Sequence, residues 1–484
     1  VRIWTKKGCG YMKMKKSISF LLVLAFMMTL FAGCGSGDKG SSAAGSKEGT
    51  SSVADDSSAD VEDTGAGGVD GETIGKNTHV DGGTEMELWT FQELHVNFYT
   101  DMADKWNELN PDRPINLTVT TGESFSVQTK LLVALQSGSG APDIADIEVG
   151  QFGNFIKGDP VLLPLDDIVE PEKDNLVMSR VDMYGGDDGK VYGICFHVGA
   201  SVTYYNMDIM NEAGIDPATL TTWDKYREAG KVVLEKTGKP MCVIETSDIF
   251  LPQCMLLEKG VQYVDEKGQP MIDTPEHAEV IEYIRGMMND GICEISKGGK
   301  VHTEEWYGYM NEGNVASLTM PLWYMGRFTD YMGDLDGKIG IYPDPTWNEG
   351  DVRSVCQGGT GTGVTNQADD PEFAKEFLAF CKLSEEGNRY IWEKLGFDPI
   401  RTSLWTDKEV TEAADNKFLK YFTTNPFDVL NEVGADLPSM SIKGGYAPTY
   451  SVLTTTTYQN AFEDAFDTPA ADLLAEEQAT IIYE

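Results

Sequence analysis

The sequence predicts an α/β protein of two domain-sized units, on three observations. From Glu85 onward, strand-like and helix-like segments alternate at the spacing of a parallel sheet with crossover helices. Roughly 400 residues follow a long polar tract, enough for two separate cores. The later helical segments carry their own start and stop signals.

Taken in order, "MELWTF" (86–91) reads as a short strand, and the helix after it puts Tyr99, Met102, Trp106 and Leu109 on one face. "INLTVTT" (115–121) alternates Ile115, Leu117 and Val119 as a half-buried strand does. "SVQTKLLVALQSG" reads as a helix ending near Gly138, and "PDIADIEV" as a buried strand. In open sheets of this kind ligands sit outside the carboxyl ends of the strands, so the loops after Trp89 and Ile147 are the first places to look. "VYGICFHVGASVTYYN" (191–206) is strand-like. Farther on, Thr274-Pro275 opens a helix that turns Ala278, Ile281 and Met288 inward and stops at Gly291. Asp370-Pro371 opens another, with Phe373, Phe377 and Phe380 on a face. No repeat of 20 to 50 residues is visible.

Ahead of this part, Lys13, Lys15 and Lys16 precede an apolar run from Ile18 to Leu30, followed by Phe31-Ala32-Gly33-Cys34. A basic start, a short greasy core and small residues before a cut site make a secretory signal over residues 1–33. The core is too short to span a bilayer as a helix. A cysteine directly after Ala-Gly resembles the lipobox of bacterial lipoproteins, in which that thiol is lipidated and becomes the mature N-terminus; Phe31 departs from the Leu usual three places before it. Residues 1–11 read as upstream translation, with Met12 or Met14 as the start. Residues 35–84 contain no aromatic, Leu, Met or Pro and cannot bury enough apolar area to offset their ordering entropy. Residues 34–84 are therefore expected to be a lipidated cysteine and flexible tether, reaching roughly 40 Å as a coil. The globular part then works outside the cell, held to a membrane it does not enter.

Charge and cysteines narrow the partners. With 38 Lys and Arg against 78 Asp and Glu, the net charge of −40 repels nucleic acid and anionic headgroups. The eight cysteines include no pair at the two-residue gap of a zinc knuckle or redox dithiol. The six beyond Cys34 are expected to be buried free thiols rather than a disulfide framework.

The segment "DGKVYGICFHVGASVTYYNMDIMNEAGIDPATLTTWDKYREAGK" (188–231) is specific. Its Asp188-Gly189-Lys190, Tyr192-Gly193, Tyr205-Asn206, Gly214-Ile215-Asp216-Pro217 and Thr222-Trp223 to Tyr226 resemble the extracellular solute-binding proteins of ATP-driven sugar importers, the maltose-binding-protein group. "LLVALQSGSGAPDIADIEVGQFGNF" and "GGTGTGVTNQADDPEFAKEFLAFCKLSEEG" agree, so the likeness runs from about residue 85 to the C-terminus. It implies a type II periplasmic-binding-protein fold: two lobes of parallel-rich sheets with flanking helices, joined by a hinge. Residues 85–198 and 345–402 would form lobe I, and 199–344 and 403–484 lobe II, with crossings near Val198–Thr203, Ile341–Pro345 and 400–410. It also implies a monomeric, lipid-anchored receptor on the outer face of the membrane that captures a sugar, as an oligosaccharide, and delivers it to permease subunits without a cofactor or metal.

Sugars offer apolar CH faces to aromatic rings and hydroxyls to polar side chains. The resemblance accordingly points to a set of binding residues. Trp323 and Tyr324, ending a strand in "TMPLWYMGRF", are the stacking candidates. Trp89 can stack or pack beneath its own loop, with Gln92 following it. Glu148 and Gln151 stand after the "PDIADI" strand; His197 stands at the first crossing, where a core role competes; Asp248 follows "MCVIETS" as a contact or a solvated acid. Gly359, in "CQGGTGTG", would bring backbone close to the sugar; the stretch has neither GxGxxG order nor a P-loop lysine. Tyr204-Tyr205 suggests iron-holding tyrosines but lies inside the matched strand. A peptide, polyamine or glycerophosphodiester ligand is the alternative on the same scaffold. A hydrolase would need two flanking carboxylates, which 78 acids supply by chance, and GxSxG and HExxH are absent.

Overall fold

The computed structural model describes residues 73–483; the signal segment 1–33, Cys34 and the tether up to residue 72 lie outside them. Among the described residues the strands are β1 (Thr73–Lys76), β2 (Thr84–Thr90), β3 (Ile115–Thr121), β4 (Ile144–Glu148), β5 (Ile194–Cys195), β6 (Ser201–Asn206), β7 (Cys242–Ile244), β8 (Cys293–Ile295), β9 (Ser317–Pro321), β10 (Ile339–Tyr342) and β11 (Thr360–Val364). They form a six-stranded sheet in the order β1-β3-β2-β4-β11-β5, a three-stranded sheet β10-β6-β9 and a pair β7-β8. Parallel pairing joins β3, β2 and β4, and β7 to β8. The other ladders are antiparallel.

Helix α1 (Glu93–Leu109) carries the chain from β2 to β3 on one side, and α2 (Ser124–Ser137) carries it back past β2 to β4 on the other. The connection therefore changes direction at β2, and a crevice opens between the carboxyl ends of β2 and β4. Helix α3 (Val149–Ile156) begins at that crevice. Local signals set these ends as expected. Gly138 closes α2 in the left-handed conformation, φ 77°. Thr274 Oγ1 accepts the His277 N–H and opens α4 (Pro275–Asn289); Asp370 Oδ1 accepts the Phe373 N–H and opens α5 (Pro371–Lys382). Leu109 departs from its predicted inward face: it lies in the last turn of α1 and is exposed.

The composition predicts a tether to residue 84, but the structure ends it earlier. β1 pairs with the outer edge of β3, from Thr73 opposite Thr121 to Lys76 opposite Thr118. Asn77 then bridges, its Nδ2 donating to Ile115 O at 3.1 Å and its Oδ1 accepting from Leu117 N at 2.8 Å. An edge strand needs an open backbone row rather than apolar side chains, so composition does not reveal it.

Between the two larger sheets the chain runs through Phe196–Ala200, and other segments lie beside it. Ser201 N donates to Val355 O at 2.9 Å and Gln357 N to Gly199 O at 2.8 Å. Asp398 accepts the Val198 N–H on its carbonyl at 3.0 Å and the Ala200 N–H on Oδ2 at 2.9 Å. Residues 354–357 and the turn at Asp398 thus lie beside the first crossing. β10 runs through Tyr342 inside the smaller sheet, and the loop after it is pinned by Arg353, whose Nε donates to Asp344 O at 2.9 Å.

Beneath the crevice lies a buried polar knot. Asp146, inside β4, accepts from Tyr99 OH (2.7 Å) and Thr362 Oγ1 (2.7 Å) on Oδ1, and from Thr90 Oγ1 (2.8 Å) and His95 Nδ1 (2.9 Å) on Oδ2. Lys382 Nζ donates to Thr362 Oγ1 at 2.9 Å, linking α5 to the carboxylate. Burial alone would raise the Asp146 carboxyl, but the His95 hydrogen bond, with Lys382 and Thr362, brings it down to about 2. Burial lowers Lys382 to about 7. Among the described residues the six cysteines, Cys195, Cys242, Cys254, Cys293, Cys356 and Cys381, are buried and free.

Asp146→Asn is expected to lower the unfolding free energy by about 3 kcal/mol at neutral pH, because it removes the negative charge and replaces one of the two oxygens that accept four buried hydrogen bonds with an NH2. The carboxyl falls from an ordinary 3.8 to about 2 on folding, so its contribution is complete above about pH 4 and is lost as pH falls through 2. Denaturant titrations from pH 5 to 2 should show the gap between variant and wild type narrowing.

Candidate ligand-binding site

At the carboxyl ends of β2 and β4, bounded also by loops after β7, β8 and β9, the structure encloses a cavity of about 420 Å³. Gln92 and His95, from the start of α1, line one side together with Glu148 at the end of β4. Phe196 and His197 come from the first crossing, and Gly358 to Thr360 from the entry to β11. Asp248, Phe250, His302 and Trp323 face them from the second half of the chain.

Trp323 follows β9 on a single helical turn, Leu322–Tyr324. Its half-buried indole lies 5.6 Å from Phe250, edge to face, and 5.6 Å from His302, nearly parallel at 17°. Its Nε1 reaches Gln357 O at 3.4 Å, which fixes the ring plane. Opposite, Gly359 has φ 114°, and a Cβ there would lie 2.0 Å from Arg180 Nη2. The glycine is therefore required by backbone shape and by Arg180 together. Arg180 is fully buried; its Nη2 donates to Gly358 O and its Nε to His197 O at 3.2 Å, so one guanidinium clamps two stretches of the cavity wall.

Polar groups complete the lining. Glu148 Oε2 accepts the Gly150 N–H at 2.8 Å. Burial pushes its carboxyl up to about 7, and Asp248 adds to the rise. Burial likewise pushes Asp248 up to about 6. His197 is buried, held well below its ordinary pKa by burial and then by Arg180, and its Nδ1 has no hydrogen-bond partner in the protein. His95 gives Nδ1 to Asp146 and stacks on Phe196 at 3.9 Å. Hydrogen-bonding groups of both kinds beside aromatic faces suit a neutral polyhydroxyl ligand.

Of the residues singled out from sequence, the structure brings Gln92, Glu148, His197, Asp248, Trp323 and Gly359 to this cavity. It places Trp89, Gln151 and Tyr324 elsewhere. Leu88 and Thr90 point into the core, so the alternation of β2 turns Trp89 to the opposite face, where Lys130 Nζ lies 4.8 Å from its ring. Gln151 sits on α3 and accepts from Asn154 Nδ2 at 3.0 Å. Tyr324 is fully buried behind Trp323, accepting from Trp306 Nε1 at 3.0 Å and donating to Val301 O. Sequence reasoning missed Arg180, His95, Phe250 and His302. The available signal was His95 and Tyr99 one helical turn apart, facing Asp146 in a neighbouring strand.

Comparison with known proteins places this architecture. Residues 93–387 match the family model described as bacterial extracellular solute-binding protein. An arabinooligosaccharide-binding protein of Halalkalibacterium halodurans is 46% identical over 404 residues, covering 83% of this chain and 90% of its own. One of Bacillus subtilis is 40% identical over 397 residues, covering 81% and 91%. In shape, the chain is similar to the cyclic alpha-maltosyl-1,6-maltose binding protein of Arthrobacter globiformis, with TM-score 0.66 at 20% identity over 83% of this chain and 98% of that one. It is also similar to an ABC-transporter-associated binding protein of B. animalis subsp. lactis, with TM-score 0.64 at 21% identity over 82% and 96%. The matched span and the identity to these relatives establish that the chain belongs to the bacterial extracellular solute-binding protein family.

Proposed function

We propose that this chain captures an arabinose-containing oligosaccharide in the cavity and delivers it to the permease of an ATP-driven importer. The observation that carries the reading is the half-buried Trp323 ring set among Glu148, Asp248 and His197, a stacking face with hydroxyl partners around it. The sugar class comes from the names of the two relatives that cover most of the chain. In this reading Gln92, Glu148, His197 and Asp248 meet hydroxyls, Trp323 stacks, and the Gly359 backbone approaches the sugar. The lobes that close on it are residues 85–198 with 345–402, to which β1 adds, and 199–344 with 403–484. Closure expels water and strengthens each hydrogen bond, and the permease prefers the closed form. Lipidation of Cys34 would hold the monomeric receptor on the outer face of the membrane; among the described residues no helix is long and apolar enough to cross one.

Trp323→Ala should weaken arabino-oligosaccharide binding by more than about 1 kcal/mol, roughly fivefold in Kd, while Trp89→Ala leaves it unchanged. Isothermal titration of both variants checks this, and an unchanged Kd for Trp323→Ala removes the ring from the site. Saturating sugar at about one hundred times Kd should raise the unfolding free energy by about 2.7 kcal/mol, read as a higher Tm. The chain is a binder rather than a hydrolase, although Glu148 and Asp248 share the cavity. Prolonged incubation with an arabino-oligosaccharide should leave its chromatogram unaltered, and shorter products would overturn the assignment.

A further inference from the structure

The loops after β7 and β8 bring together three side chains that sugar binding does not fully use. These strands are parallel, Cys242 opposite Cys293 and Ile244 opposite Ile295, so both loops leave the same end of the pair. The loops are tied to each other: Gly299 O accepts from Thr246 N at 3.0 Å and from Ser247 Oγ at 3.1 Å, and Val301 N donates to Glu245 Oε1 at 2.8 Å. A carboxylate oxygen of Glu245, one of Asp248 and a ring nitrogen of His302 consequently lie within 4.8 Å of one another. Glu245 is 5% exposed, behind the cavity wall that Asp248 and His302 line.

Two carboxylates held this close and away from water repel each other, and a bound cation relieves that repulsion by displacing the proton that otherwise would. Lys300 acts on both only through space. The imidazole beside them is oriented by aromatic neighbours rather than by a carboxylate: Trp323 lies nearly parallel to it at 5.6 Å, and Phe250 and Tyr324 stand edge to face at 6.1 and 5.4 Å. An imidazole nitrogen next to two carboxylate oxygens is a donor set for a borderline divalent cation of the zinc class. Three protein ligands on tied loops, beside a cavity, also leave coordination positions open toward that cavity.

We propose that Glu245, Asp248 and His302 form a binding site for a divalent transition-metal cation, zinc in class, in the wall of the ligand cavity. This site is independent of which solute the cavity takes, since metal alone should fill it.

The test uses the purified chain, stripped with a chelator, and Zn²⁺ without sugar. Wild type should retain one Zn²⁺ per chain after desalting, by elemental analysis, and show a raised Tm. Co²⁺ in its place should give visible d–d absorption without thiolate charge transfer. Glu245→Gln keeps an acceptor for the Val301 N–H, so it preserves the loop while removing an anionic ligand; His302→Ala removes the nitrogen. Both should fold, with circular dichroism like wild type, and lose the retained Zn²⁺ and the Co²⁺ bands. His79→Ala, at an exposed histidine beside Asp81, should retain them. Failure of wild type to retain zinc, or retention in both Glu245→Gln and His302→Ala, overturns the proposal. Loss of sugar binding in any variant bears on the transport reading and not on this one.

Discussion

The Asp146 carboxylate governs how the first half of the site is built. It is fully buried and accepts four hydrogen bonds, from β2, α1 and β11, and reaches α5 through Thr362 and Lys382. A buried anion is tolerable only when its lone pairs are filled, so each of these elements is held to one position relative to β4. His95 is part of that knot and also faces the cavity, which carries the constraint into the site. Because Nδ1 is committed to Asp146, Nε2 is the nitrogen left to meet whatever enters.

The second half of the site is fixed by backbone more than by charge. The crossing segments bond to one another at Gly199, Ser201, Val355 and Gln357, and Arg180 holds His197 and Gly358 by their carbonyls. These contacts set where Gly358 and Gly359 pass Trp323, whose indole lies 3.1 Å from the position a Cβ would take on Gly358. The two positive-φ glycines therefore let the chain turn between an indole and a guanidinium. Halves that share such a seam can move about it while the groups on either side keep their local geometry.

Much of the scaffold was legible because its determinants are local. The alternation in 115–121, the glycine stop at 138 and the capped starts at Thr274 and Asp370 each depend on residues within a few positions. The site was legible only as a place, the loops beyond β2 and β4. Which side chains enter it depends on strand facing and on single turns. One step of the pleat sends Trp89 away, and one residue of turn separates Trp323 in the cavity from Tyr324 in the core. His302 comes from an irregular loop and Phe250 from the first residue of a helix, Phe250–Glu258, so neither is marked by periodicity, and Arg180 acts through distant carbonyls. The family resemblance, not periodicity, singled out Asp248, which lines the cavity, and also Gln151 and Tyr324, which do not.

The β1 strand at the margin of the large sheet has a consequence for the chain in crowded surroundings. Without it, the seven-residue β3 would present a straight row of unsatisfied amides and carbonyls, a template on which another chain could add. With β1 in place the outermost strand is only four residues long, and its last member is a lysine, a charge at the rim. A segment whose composition suits solvent thus acts as a guard against intermolecular sheet growth.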